Sequence, residues 1–152
     1  MDKLIREITA EKEHILETLH ALQEALKRKK KTVVELAAIA TFLHNTYSGM
    51  ENVLKRILKS KGVSIPVSES FHKDLLDISV SNRVISSELS NKFNEYRAFR
   101  HFFMHGYGIK LDEERIIPLA KNLPNIWKEF ESELNILIES SKDKKNFRLN
   151  EE

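Results

Sequence analysis

Between Tyr96 and Tyr107 the chain reads Tyr-Arg-Ala-Phe-Arg-His-Phe-Phe-Met-His-Gly-Tyr, and two of these side chains carry chemistry that packing does not require. At about 100° per residue, Arg100 falls in the middle of an apolar stripe formed by Leu89, Phe93, Tyr96 and Phe103. Burying an unpaired charge is strongly unfavourable, so a guanidinium there needs a carboxylate partner, a ligand or a cleft open to water. An ion pair with a carboxylate such as Glu51 is the plainest solution. His105 follows five positions later, roughly 140° round a regular helix, so one straight helix does not bring the two groups together. Either the helix unwinds at Gly106, or a two-fold axis beside it gathers Arg100 and His105 of two subunits into one groove, and the second arrangement is expected. Without Arg100 nearby, His105 would be read as an ordinary surface histidine.

The elements that position this segment are helical. Leu4, Ile8, Ile15, Leu19, Leu22 and Leu26 recur at helical spacing and predict a helix over roughly residues 2 to 29. Thr32 with Glu35 three residues on forms a capping box, opening a second helix that carries Leu36, Ile39, Leu43, Tyr47, Met50, Leu54 and Ile57 inward until Gly62 stops it. A shorter helix is expected from near Ser68 through Phe71, Leu75 and Ile78, followed by a loop from Ser79 to Ser87. The motif helix then runs from about Ser86 to the glycines at 106 and 108. Asp112, Glu113 and Glu114 start a last helical region, which Pro118 and Pro124 should divide or bend. Apolar spacing resumes with Trp127, Phe130, Leu134 and Leu137 and fades after Ser141.

Composition agrees. Four glycines and three prolines in 152 residues suit long helices better than the turns of a sandwich or barrel. The expectation is therefore an all-α, up-down antiparallel helical bundle: one domain over residues 1–141 and a charged, flexible tail over 142–152. Cysteine is absent, which excludes disulfides, thiolate metal sites and a cysteine nucleophile and suits a reducing cytoplasm. No apolar stretch approaches the roughly 18 residues of a membrane span.

The six histidines, His14, His20, His44, His72, His101 and His105, form no metal-binding helix motif, so no metal and no cofactor is expected. No glycine-rich phosphate loop occurs. A net charge of +2 makes any nucleic-acid contact local. The run Lys27, Arg28, Lys29, Lys30 and Lys31 could hold phosphates, although cations following a helix C-terminus are more simply explained by its dipole and by solvation.

The segment from Arg100 to Tyr107 resembles the Arg-x-x-x-x-His-x-Tyr signature of HepT-like members of the HEPN superfamily, including a polar residue, His101, directly after the arginine. Its place near the end of the penultimate long helix strengthens the likeness. Phe42 to Asn52 and Phe71 to Leu76 are also similar to this family, and the resemblance covers roughly residues 4 to 140. It implies a four-helix core with short helices, and a homodimer that cleaves RNA without a metal. Under it, Arg100 is the phosphate clamp, His105 the acid or base, and His101 a supporting group. It also implies a partner, a small MNT-type nucleotidyltransferase antitoxin that adds AMP to the motif tyrosine, here Tyr107. The plainer role for Tyr107 is capping or core packing. The alternative for the whole chain is a non-catalytic HEPN partner or substrate-binding subunit of such a nucleotidyltransferase.

Overall fold

A computed structural model describes the backbone of residues 2–105 and 111–151 and the side chains of 3–105 and 111–143. It contains five helices and, among the described residues, no strand: α1 (Asp2–Leu26), α2 (Val33–Ser60), α3 (Phe71–Ser81), α4 (Ser87–Met104) and α5 (Glu113–Glu151). No described helix is long and apolar enough to cross a membrane.

The apolar stripe of α1 lies on α2. Arg56 of α2 reaches Glu7 and Glu11 of α1, each at 3.2 Å, while Ile15 meets Gly49, so rising numbers on one helix meet falling numbers on the other and the pair is antiparallel. Gly49 permits this approach, because a Cβ there would stand 2.7 Å from Ile15 Cγ1. α4 and α5 are antiparallel by the same test: Ser86 bonds Glu133, Lys92 bonds Glu129, Tyr96 Oη donates to the Leu119 carbonyl at 2.9 Å, and Arg115 lies over Phe102.

At the centre, Phe93 meets Tyr47 and Phe130 edge to face at centroid separations of 6.0 and 5.3 Å, and Trp127 extends the group. Phe93 and Phe130 are wholly buried, and each such ring contributes about 1.5–3 kcal/mol by leaving water.

The helix ends follow local chemistry, with differences from the expected boundaries. Thr32 caps α2: its hydroxyl accepts from the Val34 amide at 3.2 Å, and Glu35 accepts from the Thr32 amide at 2.8 Å and from its hydroxyl. Gly62, at φ 75°, follows the last turn and provides the left-handed step that ends the helix. α1 stops at Leu26, before the expected Lys29, as the basic run leaves the helical path. α3 begins at Phe71 and continues to Ser81, because Ser79 is buried and its carbonyl accepts the Val84 amide at 2.8 Å, so the loop expected from Ser79 is confined to the turn before Ser86. Arg83 makes that turn at φ 57°. Pro118 and Pro124 lie inside one helix that neither interrupts, and the backbone of the charged segment after Ser141 continues α5 to Glu151.

Candidate functional site

Arg100 sits two turns into the buried face of α4 beyond Phe93, and the structure gives it the carboxylate that the sequence demanded. Its Nε stands 3.9 Å from Glu51 Oε1 on α2, and the two side chains are 22% and 2% exposed. That separation is an ion pair without a hydrogen bond, and Arg100 Nε is enclosed with no hydrogen-bond partner among the described residues.

Glu51 is bonded from a third helix. His72 of α3 approaches through Nδ1, 3.0 Å from Oε1 and 3.1 Å from Oε2. A carboxylate only accepts, so Nδ1 carries the proton and donates, and in the neutral form of the ring Nε2 is the unprotonated nitrogen. One buried carboxylate thus joins α2, α3 and α4. Below it, the Tyr47 hydroxyl is buried, and burial first, then the Glu51 charge, hold its phenol well above the usual tyrosine range. Tyr96, bonded to Leu119, is also raised, by burial first and then by the charge of Glu95.

His105 is the C-cap residue of α4, at φ −90°, with its amide donating to the His101 carbonyl at 3.2 Å. Its ring and that of His101 are exposed and lie tilted against one another at 4.2 Å between centroids. Among the described residues no hydrogen bond, ion pair or ring contact joins Arg100 to His105, so a single chain brings His101 to His105 and Glu51 to Arg100, but not the two halves together. Tyr107 lies outside the described residues. The basic run occupies the connection between α1 and α2. There Lys27 pairs with Glu24 at 2.9 Å and Lys31 donates to the Arg28 carbonyl at 3.1 Å, a solvated turn with no bond to the motif helix.

Neighbouring aromatics set the walls. Phe103 stacks on Phe99 at 5.8 Å and lies 5.1 Å from the His44 ring, whose Nε2 is buried without a hydrogen bond. The Arg115 guanidinium lies 5.9 Å from the centre of Phe102.

The residue at this junction that the sequence did not single out is His72. It entered only as one of six histidines without metal-ligand spacing and within the family-like segment Phe71 to Leu76. Its local pattern, a histidine near apolar Phe71 and Leu75 on a short amphipathic helix, is common in proteins.

A family model described as HepT-like protein matches residues 38–140. No curated protein and no solved structure gives a significant match to the chain. The matched region holds most of α2, all of α3 and α4 and most of α5, including Glu51, His72, Arg100 and His105, and by that match the chain belongs to the HepT-like proteins of the HEPN superfamily.

Proposed function

We propose that this chain is a metal-independent endoribonuclease, the toxin of a HEPN and nucleotidyltransferase pair, acting as a homodimer whose groove gathers Arg100 and His105 from both subunits. The observation that carries this reading is the state of Arg100: a cation on a buried helix face, held at ion-pair distance by one carboxylate and with its enclosed Nε lacking a hydrogen-bond partner among the described residues. Such a group is fixed in place and keeps donors for a phosphate.

Cleavage by a neighbouring 2'-hydroxyl requires a proton acceptor that works near neutral pH and a cation over the developing phosphorane charge. Exposed His105 suits the proton transfer, as acid or base, and Arg100 the second task, with the His101 ring tilted against that of His105 as its support. A two-fold axis along the end of α4 would overcome the angular separation of Arg100 and His105. Under the same reading, AMP added to Tyr107 by a partner nucleotidyltransferase places a phosphate and a base beside the groove and excludes RNA by charge and bulk.

The experiment is RNA cleavage in EDTA by the wild-type chain, Arg100→Ala and His105→Ala, each checked for helical circular dichroism. The expected result is cleavage by the wild type and a loss of at least about 100-fold in each variant. Equal activity in all three would refute the assignment.

A second reading is favoured by the separation of Arg100 from His105 within one chain and by the Arg100–Glu51 pair. In it the chain is a non-catalytic partner of the nucleotidyltransferase. It predicts no cleavage by the wild type, and a gain of AMP mass with partner and ATP that Tyr107→Phe abolishes.

A further inference from the structure

We infer that His72, oriented by Glu51, is a second proton-transfer residue of the same site, a base supplied from α3 beside the Arg100 clamp. This deepens the ribonuclease reading and rests on it.

Three observations converge. Glu51 is 2% exposed and receives His72 Nδ1 on both of its oxygens, at 3.0 and 3.1 Å. A carboxylate fixed on one imidazole nitrogen sets the tautomer and aims the other, which is how buried acids orient histidine bases. The His72 side chain is 30% exposed, and its Nε2 makes no hydrogen bond with any described residue. Finally, Arg100 Nε faces the same carboxylate oxygen, Oε1, that His72 contacts, so guanidinium and imidazole flank one atom. An ion pair built only for stability would be served by Arg100 and Glu51 alone. Adding an imidazole with a free outer nitrogen at the edge of the site supplies a proton acceptor in the same chain as the clamp, which His105 does not.

Transesterification also needs two proton-transfer groups, one to take a proton and one to give it. His72 Nε2 takes the proton of the RNA 2'-hydroxyl as that oxygen bonds to phosphorus. The bond from phosphorus to the 5'-oxygen breaks, and the departing oxygen takes a proton from the imidazolium of His105 presented by the second subunit. The products are a 2',3'-cyclic phosphate and a 5'-hydroxyl, with no other reactant consumed. Glu51 transfers no proton in this scheme and acts as a positioning residue.

The test compares wild type, His72→Asn, His72→Ala, Glu51→Gln and Glu51→Asp on a single-stranded RNA oligomer and on bulk tRNA, with kcat and KM separated. Asparagine keeps a donor near the Nδ1 position for Glu51 but has no group that takes a proton at Nε2. The expected results are a fall of at least about 100-fold in kcat for His72→Asn at nearly unchanged KM, and partial recovery of His72→Ala by added imidazole. A smaller kcat loss is expected for Glu51→Gln, partly restored in Glu51→Asp. Products should end in 2',3'-cyclic phosphate.

Full cleavage by His72→Asn, with Arg100→Ala and His105→Ala inactive, overturns this inference and leaves the ribonuclease reading standing. Activity losses that track thermal stability, with no imidazole rescue, overturn it in the same way. No cleavage by the wild type removes both.

Discussion

Replacing Glu51 should reveal which group holds the α2, α3 and α4 junction. Glu51→Ala leaves the Arg100 guanidinium without its counter-charge and His72 Nδ1 without its acceptor. Removing one member of a buried ion pair costs about 3–5 kcal/mol. Arg100 and His72 are 22% and 30% exposed, so water reaches part of each, which places the expectation near the lower end, about 3 kcal/mol. Arg100→Ala is a milder change: its Nε lies 3.9 Å from the carboxylate, and Glu51 keeps both contacts to His72. About 1 kcal/mol is expected there, below the cost of a fully broken buried pair because the His72 contacts to Glu51 remain. In a chain of this size each kcal/mol moves Tm by roughly 2–4 °C, so Glu51→Ala should melt roughly 6–12 °C below wild type and Arg100→Ala within about 4 °C of it. Thermal melts and urea unfolding followed by far-ultraviolet circular dichroism measure both. An Arg100→Ala protein as unstable as Glu51→Ala, or a Glu51→Ala protein with an unchanged midpoint, would refute the view that the carboxylate organises the junction.

Other substitutions probe the frame. Gly49→Ala gains about 1 kcal/mol of helix propensity but drives a Cβ to 2.7 Å from buried Ile15, so a net loss of about 1 kcal/mol is expected in urea unfolding, and a gain would show that α1 can shift. Arg83→Gly removes a side chain from a backbone at φ 57° and should raise stability by about 0.5–1 kcal/mol; a loss would mean that the turn is unstrained. The Glu35 carboxyl is held below the usual glutamate range, chiefly by the Thr32 hydroxyl and then by backbone amides. A folded value below the unfolded one stabilises at neutral pH and is lost as pH falls through the folded value. The stability difference between wild type and Glu35→Gln should therefore shrink on acidification, and a constant difference would contradict the cap's ionic character.

Much of this architecture could be read locally. The Thr32 box, the Gly62 stop and the Ser86 start depend on residues within one turn, and the structure places each where spacing put it. Errors arose where tertiary contact overrides local preference. Burial of Ser79 extends α3 through a polar stretch, and packing on α4 carries α5 through two prolines that local rules treat as breaks. The need for an Arg100 partner was legible because an arginine in an apolar stripe is anomalous. The His72–Glu51 bond was not, since the pair lies 21 positions apart on different helices and no local pattern ties one to the other.

Two of the chain's three tyrosines, Tyr47 and Tyr96, stand in the packed centre with their acidity suppressed by burial. Their folded values lie above the unfolded one, so their contribution is intact below about pH 10 and drains away in alkali as exposed chains release phenolic protons that the bundle retains. Lye therefore attacks this protein through its most protected rings: neither phenolate gains the solvent it needs until the helices part, and the ultraviolet change as Tyr47 and Tyr96 ionise becomes a report on the opening of the core.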